Sequence, residues 1–496
     1  MKNKRKKYLA ALIAGLSMLS LQSCGNVVDK AKTPSVQSGT ISKNDSSLPP
    51  VDGSNTADEA VTTTAAQTTT TTSTTTAAPV MKGNLYDADG DILMFSSMGD
   101  DGKEIRMTND SNKVAFANVL NELSEGLDLT FEKKLRTPNS SPVDGNECGQ
   151  SVQLTFDAAT QNAVYDYMAN SNIIGSAVVM RSDGSIMAQV SYPSYNPDDY
   201  YGVKTEEDLA WGNYGNKAFQ NFPPGSCFKI MSEVISDKHG IYSLYDEGTW
   251  EFDGTSIVNW DHENTWNYPQ ERSLNSAFVN SSNIFFARAF DQIGSEAVLS
   301  DLDTIFHFVS PIECDFGTIS NNVEIYCNDD LRRTAFGQSY VLTCPIYLAA
   351  LGREAAYGEM VRPFTLKNVV DTNSFTTVVE AGSKDKDVIG TIPPEYRQNL
   401  LDGMKGVANG LGVYVPSGYE FYAKTGTAET WEGDFLYITG IVKNTADDGN
   451  GSYVDYNDYN GSYIIVMQVR NPKYFGFDFA SESASLYQGL VNTVVG

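Results

Sequence analysis

The stretch "PPGSCFKIMSEVI", residues 223–235, sets a serine, Ser226, three places before a lysine, Lys229, inside an apolar run. On a helix, residues three apart share a face, so the hydroxyl and the amine can meet. Pro223, Pro224 and Gly225 make a stiff, tight approach that places Ser226 at a helix N-terminus. The first amides of a helix are unpaired and favour negative charge. A serine there can attack a carbonyl, with its own amide N–H as one donor to the oxyanion. A free lysine has a pKa of about 10.4, so about one in 2,500 is neutral at pH 7. To serve as that serine's base its pKa must fall to about 7, a change of about 4 to 5 kcal/mol. Burial and a second nearby cation both act in that direction. Phe228 and Ile230 supply apolar surroundings, and the cation has to come from elsewhere in the chain. Another S-x-x-K, Ser383-Lys384-Asp385-Lys386, lies in the hydrophilic stretch "AGSKDKDVIG" and reads as a solvated loop.

Two further patterns supply groups of the right kind. "NSSNIFFARAF" places Ser281 and Asn283 two apart, ahead of an apolar helix. A hydroxyl there can relay a proton from Ser226 toward a leaving group, and an amide can hold a substrate peptide bond. S-x-N is a weak pattern, matched also at Ser42, Ser194 and Ser273. Taken alone, Ser281 reads as a helix cap. "FYAKTGTAET" contains the chain's only K-[ST]-G, Lys424-Thr425-Gly426. Glycine inside an extended run marks a strand that something approaches closely. The expected place for it is a sheet edge, where a peptide can add as a further strand. Lys424 is then the candidate second cation. Thr425 and Thr427 can bind a carboxylate, and the Thr427 N–H can complete an oxyanion hole.

These groups need a framework. "KGNLYDADGDILMFS" shows strands either side of Asp89-Gly90, and "GSAVVMRSDGSIMAQVSYP" shows strands either side of Ser182-Asp183-Gly184. "FANVLNELSEGLDL" and "DAATQNAVYDYMANS" have helical periodicity, the latter with Asp157 as N-cap candidate. "DFLYITGIV" and "SYIIVMQVR" are strands joined by an acidic, Tyr-rich loop, and "SESASLYQGLVNTVV" closes the chain as a helix. Strands at both ends of this region and helices in its middle imply an α+β fold, a mixed sheet with helices packed on it.

The 496 residues carry a net charge of −27, which argues against a nucleic-acid partner. The first seven residues, "MKNKRKK", nevertheless hold five positive charges, and "YLAALIAGLSMLSLQSC" follows with none. A basic start, about 14 apolar residues and small residues before a cysteine form a secretory leader. Its ending, Leu21-Gln22-Ser23-Cys24, resembles a bacterial lipoprotein signal with Cys24 as the lipidated residue. An uncleaved signal-anchor is the alternative. The expected organisation is therefore a leader over 1–23, a disordered Thr-rich linker over 24–80, a small β-rich module over 81–150 and a catalytic domain over 151–496. The tract "VTTTAAQTTTTTSTTTAAP" cannot bury enough surface to fold. Six cysteines show no CxxC, and only His239, His262 and His307 are present, outside any HExxH. No metal site is expected. The cysteines read as free thiols, with a Cys314–Cys327 bridge as the alternative.

S-x-x-K, S-x-N and K-T-G in this order form the signature of the penicillin-recognising serine enzymes. From Lys82 onward the chain resembles the monofunctional, class B penicillin-binding proteins. The likeness runs through "KGNLYDADGDIL", "VQLTFDAATQNAVYDYM", "GNKAFQNFPPGSCFKI" and "AFGQSYVLTCPIYLAALGREAAYGEMVRPFTL", which includes Gly337-Gln338. The resemblance implies the antiparallel transpeptidase sheet flanked by helices. It implies Ser226 as acylated nucleophile and Lys229 as its base. Ser281 and Asn283 would serve proton relay and substrate holding, and Lys424, Thr425, Gly426 and Thr427 would form the substrate strand. The implied activity is D,D-transpeptidation of peptidoglycan stem peptides without any cofactor, inhibited by β-lactams, at the outer face of the cytoplasmic membrane. Other cell-wall synthesis proteins are further candidate partners. D,D-carboxypeptidase or β-lactamase-like hydrolysis, and a non-catalytic β-lactam-sensing or wall-binding role, are the alternatives. No E-x-x-L-N follows Ser281, which counts against one class of lactamase. The chain departs from the family at Cys227, where threonine is usual, in its lipoprotein-type leader and in its small N-terminal module.

Overall fold

The computed structural model describes residues 80–120, 126–143, 145–199, 215–380, 387–430, 433–447, 449, 451, 459, 461–470 and 479–496. The leader, Cys24, the Thr-rich linker and the Ser383–Lys386 motif lie outside the described residues.

In chain order, β1 (Leu85–Tyr86) and β2 (Ile92–Met98) flank the Asp89-Gly90 turn. Asp87 closes that turn, its Oδ1 accepting from the amides of Asp89 at 3.1 Å and Asp91 at 2.8 Å. β3 (Glu104–Thr108) pairs with β2. The helix expected in "FANVLNELSEGLDL" is described as two single turns, Ala117–Leu120 and Leu127–Thr130, between which residues 121–125 are not described. β4 (Ser151–Leu154) precedes α1 (Ala158–Asn170). The Asp157 side chain caps α1 by accepting from the Thr160 amide at 2.6 Å, a contact that contributes about 1 kcal/mol. β5 (Gly175–Arg181) and β6 (Ile186–Tyr192) form the second hairpin. A 3-10 turn, Gly225–Phe228, runs into α2 (Lys229–Lys238). Four short strands follow: β7 (Ser243–Asp246), β8 (Thr249–Phe252), β9 (Thr255–Val258) and β10 (Gln270–Ser273). Then come α3 (Leu274–Val279), α4 (Asn283–Ile293), α5 (Pro345–Tyr357), β11 (Leu366–Val370), β12 (Thr377–Glu380) and α6 (Pro394–Leu411). β13 (Tyr419–Thr430), β14 (Gly433–Asn444), β15 (Tyr463–Arg470) and α7 (Phe479–Val495) complete the chain.

The main sheet runs β13–β14–β15–β5–β6, every pair antiparallel, so it is not the mixed sheet that the strand pattern implies. Its inner strands are apolar on both faces. Ala177, Val179, Ile465 and Met467 pack with Val164, Met168, Leu490 and Val491 of α1 and α7. The alternate residues Val178, Met180, Ile464 and Val466 join the larger core with Tyr347 and Leu351 of α5. Helices therefore cover both faces, which explains why these strands read as unbroken hydrophobic runs. Each aliphatic side chain so buried contributes about 1.5 to 3 kcal/mol. The expected α+β fold, an antiparallel sheet flanked by helices, is the one observed. A second, six-stranded sheet has the order β12–β11–β4–β1–β2–β3, with β1 parallel to β4. Residues 81–150 thus contribute three strands to a sheet completed by segments beyond residue 150.

Candidate active site

Two glycines let α2 and β13 meet. Gly225 has φ 53°, a left-handed value, and a Cβ on it would stand 2.1 Å from the Thr427 carbonyl oxygen. A Cβ on Gly426 would stand 2.5 Å from the Pro224 oxygen and 2.8 Å from the Cys227 nitrogen. Any other residue at either position would push the serine turn away from the strand. β13 is the edge strand of the main sheet, as expected for K-T-G. Thr427 is exposed there, Thr425 is half-buried, and Lys424 is fully buried.

Lys229 is also fully buried, and its Nζ reaches four oxygens: Ser226 Oγ at 2.9 Å, Ser281 O at 2.8 Å, Ser281 Oγ at 3.2 Å and Asn283 Oδ1 at 2.7 Å. Asn283 Nδ2 donates to the Val258 carbonyl at 2.9 Å, which turns its Oδ1 toward the lysine. Two of the four partners, the Ser281 carbonyl and the Asn283 amide oxygen, can only accept. A neutral amine has two N–H donors and one lone pair. The carbonyl and the amide occupy the donors, and the lone pair is left for the hydroxyl proton of Ser226. This is the geometry of a general base. Lys424 Nζ donates to Ser281 Oγ at 3.1 Å and to Thr425 O at 3.0 Å, so the two lysine nitrogens meet at the Ser281 hydroxyl. The S-x-x-K, S-x-N and K-T-G residues converge on one cluster.

Burial favours the neutral form of each lysine. It holds Lys229 well below the ordinary lysine value, and the charge of Lys424 pushes the same way. Lys424 is brought down to about 8, again by burial. The aromatic rings beneath these amines are those of Phe336, its centroid 5.9 Å from Lys229 Nζ, and Phe278, its centroid 5.6 Å from Lys424 Nζ. Phe228 and Ile230, the sequence's candidates, are buried in the larger core.

The S-x-N turn differs from the helix-cap reading of Ser281. Ser282 caps α4, its Oγ accepting from the Phe285 amide at 3.0 Å. Ser281, freed from that duty, adopts φ 56° and presents both its carbonyl and its hydroxyl to Lys229. A non-glycine residue in this conformation is strained, and the neighbouring bonds hold it there. Cys227 belongs to the larger core. It is fully buried, with Sγ 3.4 Å from the Lys424 carbonyl, and burial raises its thiol to about 11. Cys148, Cys227, Cys314, Cys327 and Cys344 are all free thiols, so Cys314 and Cys327 do not bridge. Among the described residues no group of His, Cys, Asp and Glu side chains is placed to hold a metal ion.

Three residues behind the site, Asp246, Asn259 and Arg272, carry no motif, and no short pattern in the sequence marks them. Asp246, at the end of β7, accepts from Ser282 Oγ at 2.6 Å, from Arg272 Nε at 3.0 Å and from Asn259 Nδ2 at 2.9 Å. Asn259 Oδ1 accepts from the amide of Asn283 at 2.7 Å. The partners lie 13 to 36 residues apart, beyond the reach of any local pattern.

Residues 175–487 match the family model described as penicillin binding protein transpeptidase domain, which is more than half of the 496 residues. The chain is 24% identical over 398 residues to penicillin-binding protein 3 of Bacillus subtilis, covering 73% of this chain and 54% of that protein. It is 23% identical over 420 residues to peptidoglycan D,D-transpeptidase FtsI of Escherichia coli, covering 77% of this chain and 65% of the relative. The match thus spans between half and two thirds of these curated relatives. The imipenem acyl-enzyme complex of penicillin-binding protein A from Mycobacterium tuberculosis superposes with a TM-score of 0.68 at 19% identity, covering 84% of this chain and 99% of that one.

Proposed function

This chain belongs to the penicillin-binding protein transpeptidase family, and from that premise we propose that it is a peptidoglycan D,D-transpeptidase acting through an acyl-enzyme on Ser226. The observation that carries the reading is the pair of acceptor-only oxygens on Lys229, which reserves the amine lone pair for Ser226. Ser226 Oγ bonds to the carbonyl carbon of the penultimate D-Ala of a stem peptide while its proton passes to Lys229. The N–H groups of Ser226 and Thr427 receive the oxyanion. The C–N bond to the terminal D-Ala breaks, and the leaving nitrogen takes the proton from Lys229 by way of the Ser281 hydroxyl. Thr425 and Thr427 hold the substrate carboxylate, and Asn283 steadies the base. An amine from a neighbouring stem then attacks the ester, returns a proton along the same route and releases Ser226 as the cross-link forms. A β-lactam would acylate the same serine by opening its ring, so that the leaving nitrogen stays attached.

The leader and the Thr-rich tract support a lipid on Cys24 that holds residues 81–496, a small module and the catalytic domain, outside the cytoplasmic membrane. No helix among the described residues is long and apolar enough to cross a membrane. Incorporation of labelled fatty acid into the wild type, lost in Cys24→Ala, tests the anchor. For the activity, a fluorescent penicillin should label the wild type and not Ser226→Ala; equal labelling of the variant rejects the assignment. With a pentapeptide donor and an amine acceptor, mass spectrometry should find the cross-linked product. Release of D-Ala without cross-link would replace this reading with a carboxypeptidase.

A further inference from the structure

The S-x-N turn holds a strained serine against two buried amines. Ser282 Oγ does two things at once. It accepts from the Phe285 amide at 3.0 Å, as any cap would, and it donates to Asp246 Oδ2 at 2.6 Å. Asp246 is fully buried, and its remaining bonds go to Arg272 Nε at 3.0 Å, Asn259 Nδ2 at 2.9 Å and 3.1 Å and the Gly248 amide at 3.0 Å. Asn259, also fully buried, turns its oxygen to the amides of Asn283 at 2.7 Å and Ile284 at 3.2 Å. Its nitrogen also donates to Tyr268 Oη at 3.0 Å, and that phenol donates to Asp261. The arrangement grips residues 282 and 283 from one side while Lys229 grips 281 and 283 from the other. A helix cap needs none of this: Ser282 alone would satisfy the Phe285 amide. A carboxylate sealed from water beside an arginine costs free energy unless every bond is made, so its presence under a two-residue turn calls for a purpose.

We propose that Asp246, through Ser282 and with Asn259, is the positioning group that fixes the Ser281–Asn283 turn, so that Lys229 and Ser281 stand in register with Ser226. None of the three touches the substrate. The inference rests on the acyl-transfer reading above. Loosening such a turn by about 1 Å costs about a hundredfold in a step that depends on alignment.

Position 282 separates capping from positioning. Ser282→Gly keeps most of the capping preference and loses the link to Asp246; Ser282→Ala loses both; Ser282→Thr keeps the oxygen. Stopped-flow acylation by a reporter β-lactam, on folded protein counted by its calorimetric melting enthalpy, divides binding from the acylation rate at saturation. The expected result is an acylation rate lowered about tenfold to a hundredfold in both Ser282→Gly and Ser282→Ala, nearly unchanged binding, and recovery in Ser282→Thr. A Ser282→Gly protein that acylates like the wild type overturns the inference and leaves the enzyme assignment standing. Equal losses in binding and rate, or losses that follow the melting temperature alone, also overturn it. A wild type that the reporter never acylates overturns both.

Discussion

Lys229 and Lys217 are both fully buried lysines, and they differ in what they can do. Lys217 lies in a 3-10 turn, Lys217–Phe219, beside β6. Its Nζ donates to the Pro193 carbonyl at 2.7 Å, and burial, with Arg470 second, brings it down to about 7. Burial first and a neighbouring cation second also lower Lys229. The electrostatic causes are therefore the same in the two regions, and a depressed lysine does not by itself mark a catalytic centre. One difference lies in a partner that each amine meets. The carbonyl of Pro193 has no proton to give, whereas the Ser226 hydroxyl faces the Lys229 lone pair with a proton to lose.

The strongest way to break this comparison is Lys229→Met. Acylation by penicillin should fall about a thousandfold, as expected for removal of a general base, while calorimetry shows a folded protein. A variant that retains wild-type acylation would remove Lys229 from the chemistry. Next is Lys424→Met. Taking away this cation raises the Lys229 pKa, and the reaction needs Lys229 neutral. The acidic limb of the acylation profile should therefore move to higher pH, with a loss of about tenfold to a hundredfold at pH 7 that narrows as pH rises. A uniform loss at every pH would show that Lys424 acts only by contact. The smallest effect is expected from Lys217→Met, whose acylation per folded molecule should stay within about twofold of the wild type. Its signature is in stability. With a folded pKa about 7 and an unfolded pKa about 10.4, the unfolded chain binds the proton across that window and the folded chain does not. Stability from this group therefore rises with pH from about 7 to about 10 and is flat below. Melting curves of the variant should show a shallower rise over that range than those of the wild type.

Part of this is legible in the sequence alone. The Asp157 cap, the Asp89-Gly90 turn and the paired apolar runs of β14 and β15 depend on neighbours within a few residues, so local pattern reports them. The three motifs were readable because their residue types are unusual in their settings: lysines in apolar runs, and a glycine within a strand. The serine that caps α4 was not readable. Ser281 and Ser282 are adjacent and chemically identical, and local preference cannot choose between them. The choice is made by Asp246 and Lys229, from 36 and 52 residues away. The sheet that joins residues 81–150 to β11 and β12 was hidden for the same reason, since those strands lie more than 200 residues further on.

By itself, then, the sequence determined which side chains could perform acyl transfer, the elements that carry them and the edge strand among those elements. These follow from residue type and from periods of two and three to four. The tertiary structure alone decided that Lys229 meets two carbonyl-type acceptors and two alcohols, that Ser281 is bent into the left-handed region and that a buried aspartate stands behind it. Each of those is a contact across tens to hundreds of residues, set by how the sheet and helices close around one another rather than by any short stretch of chain.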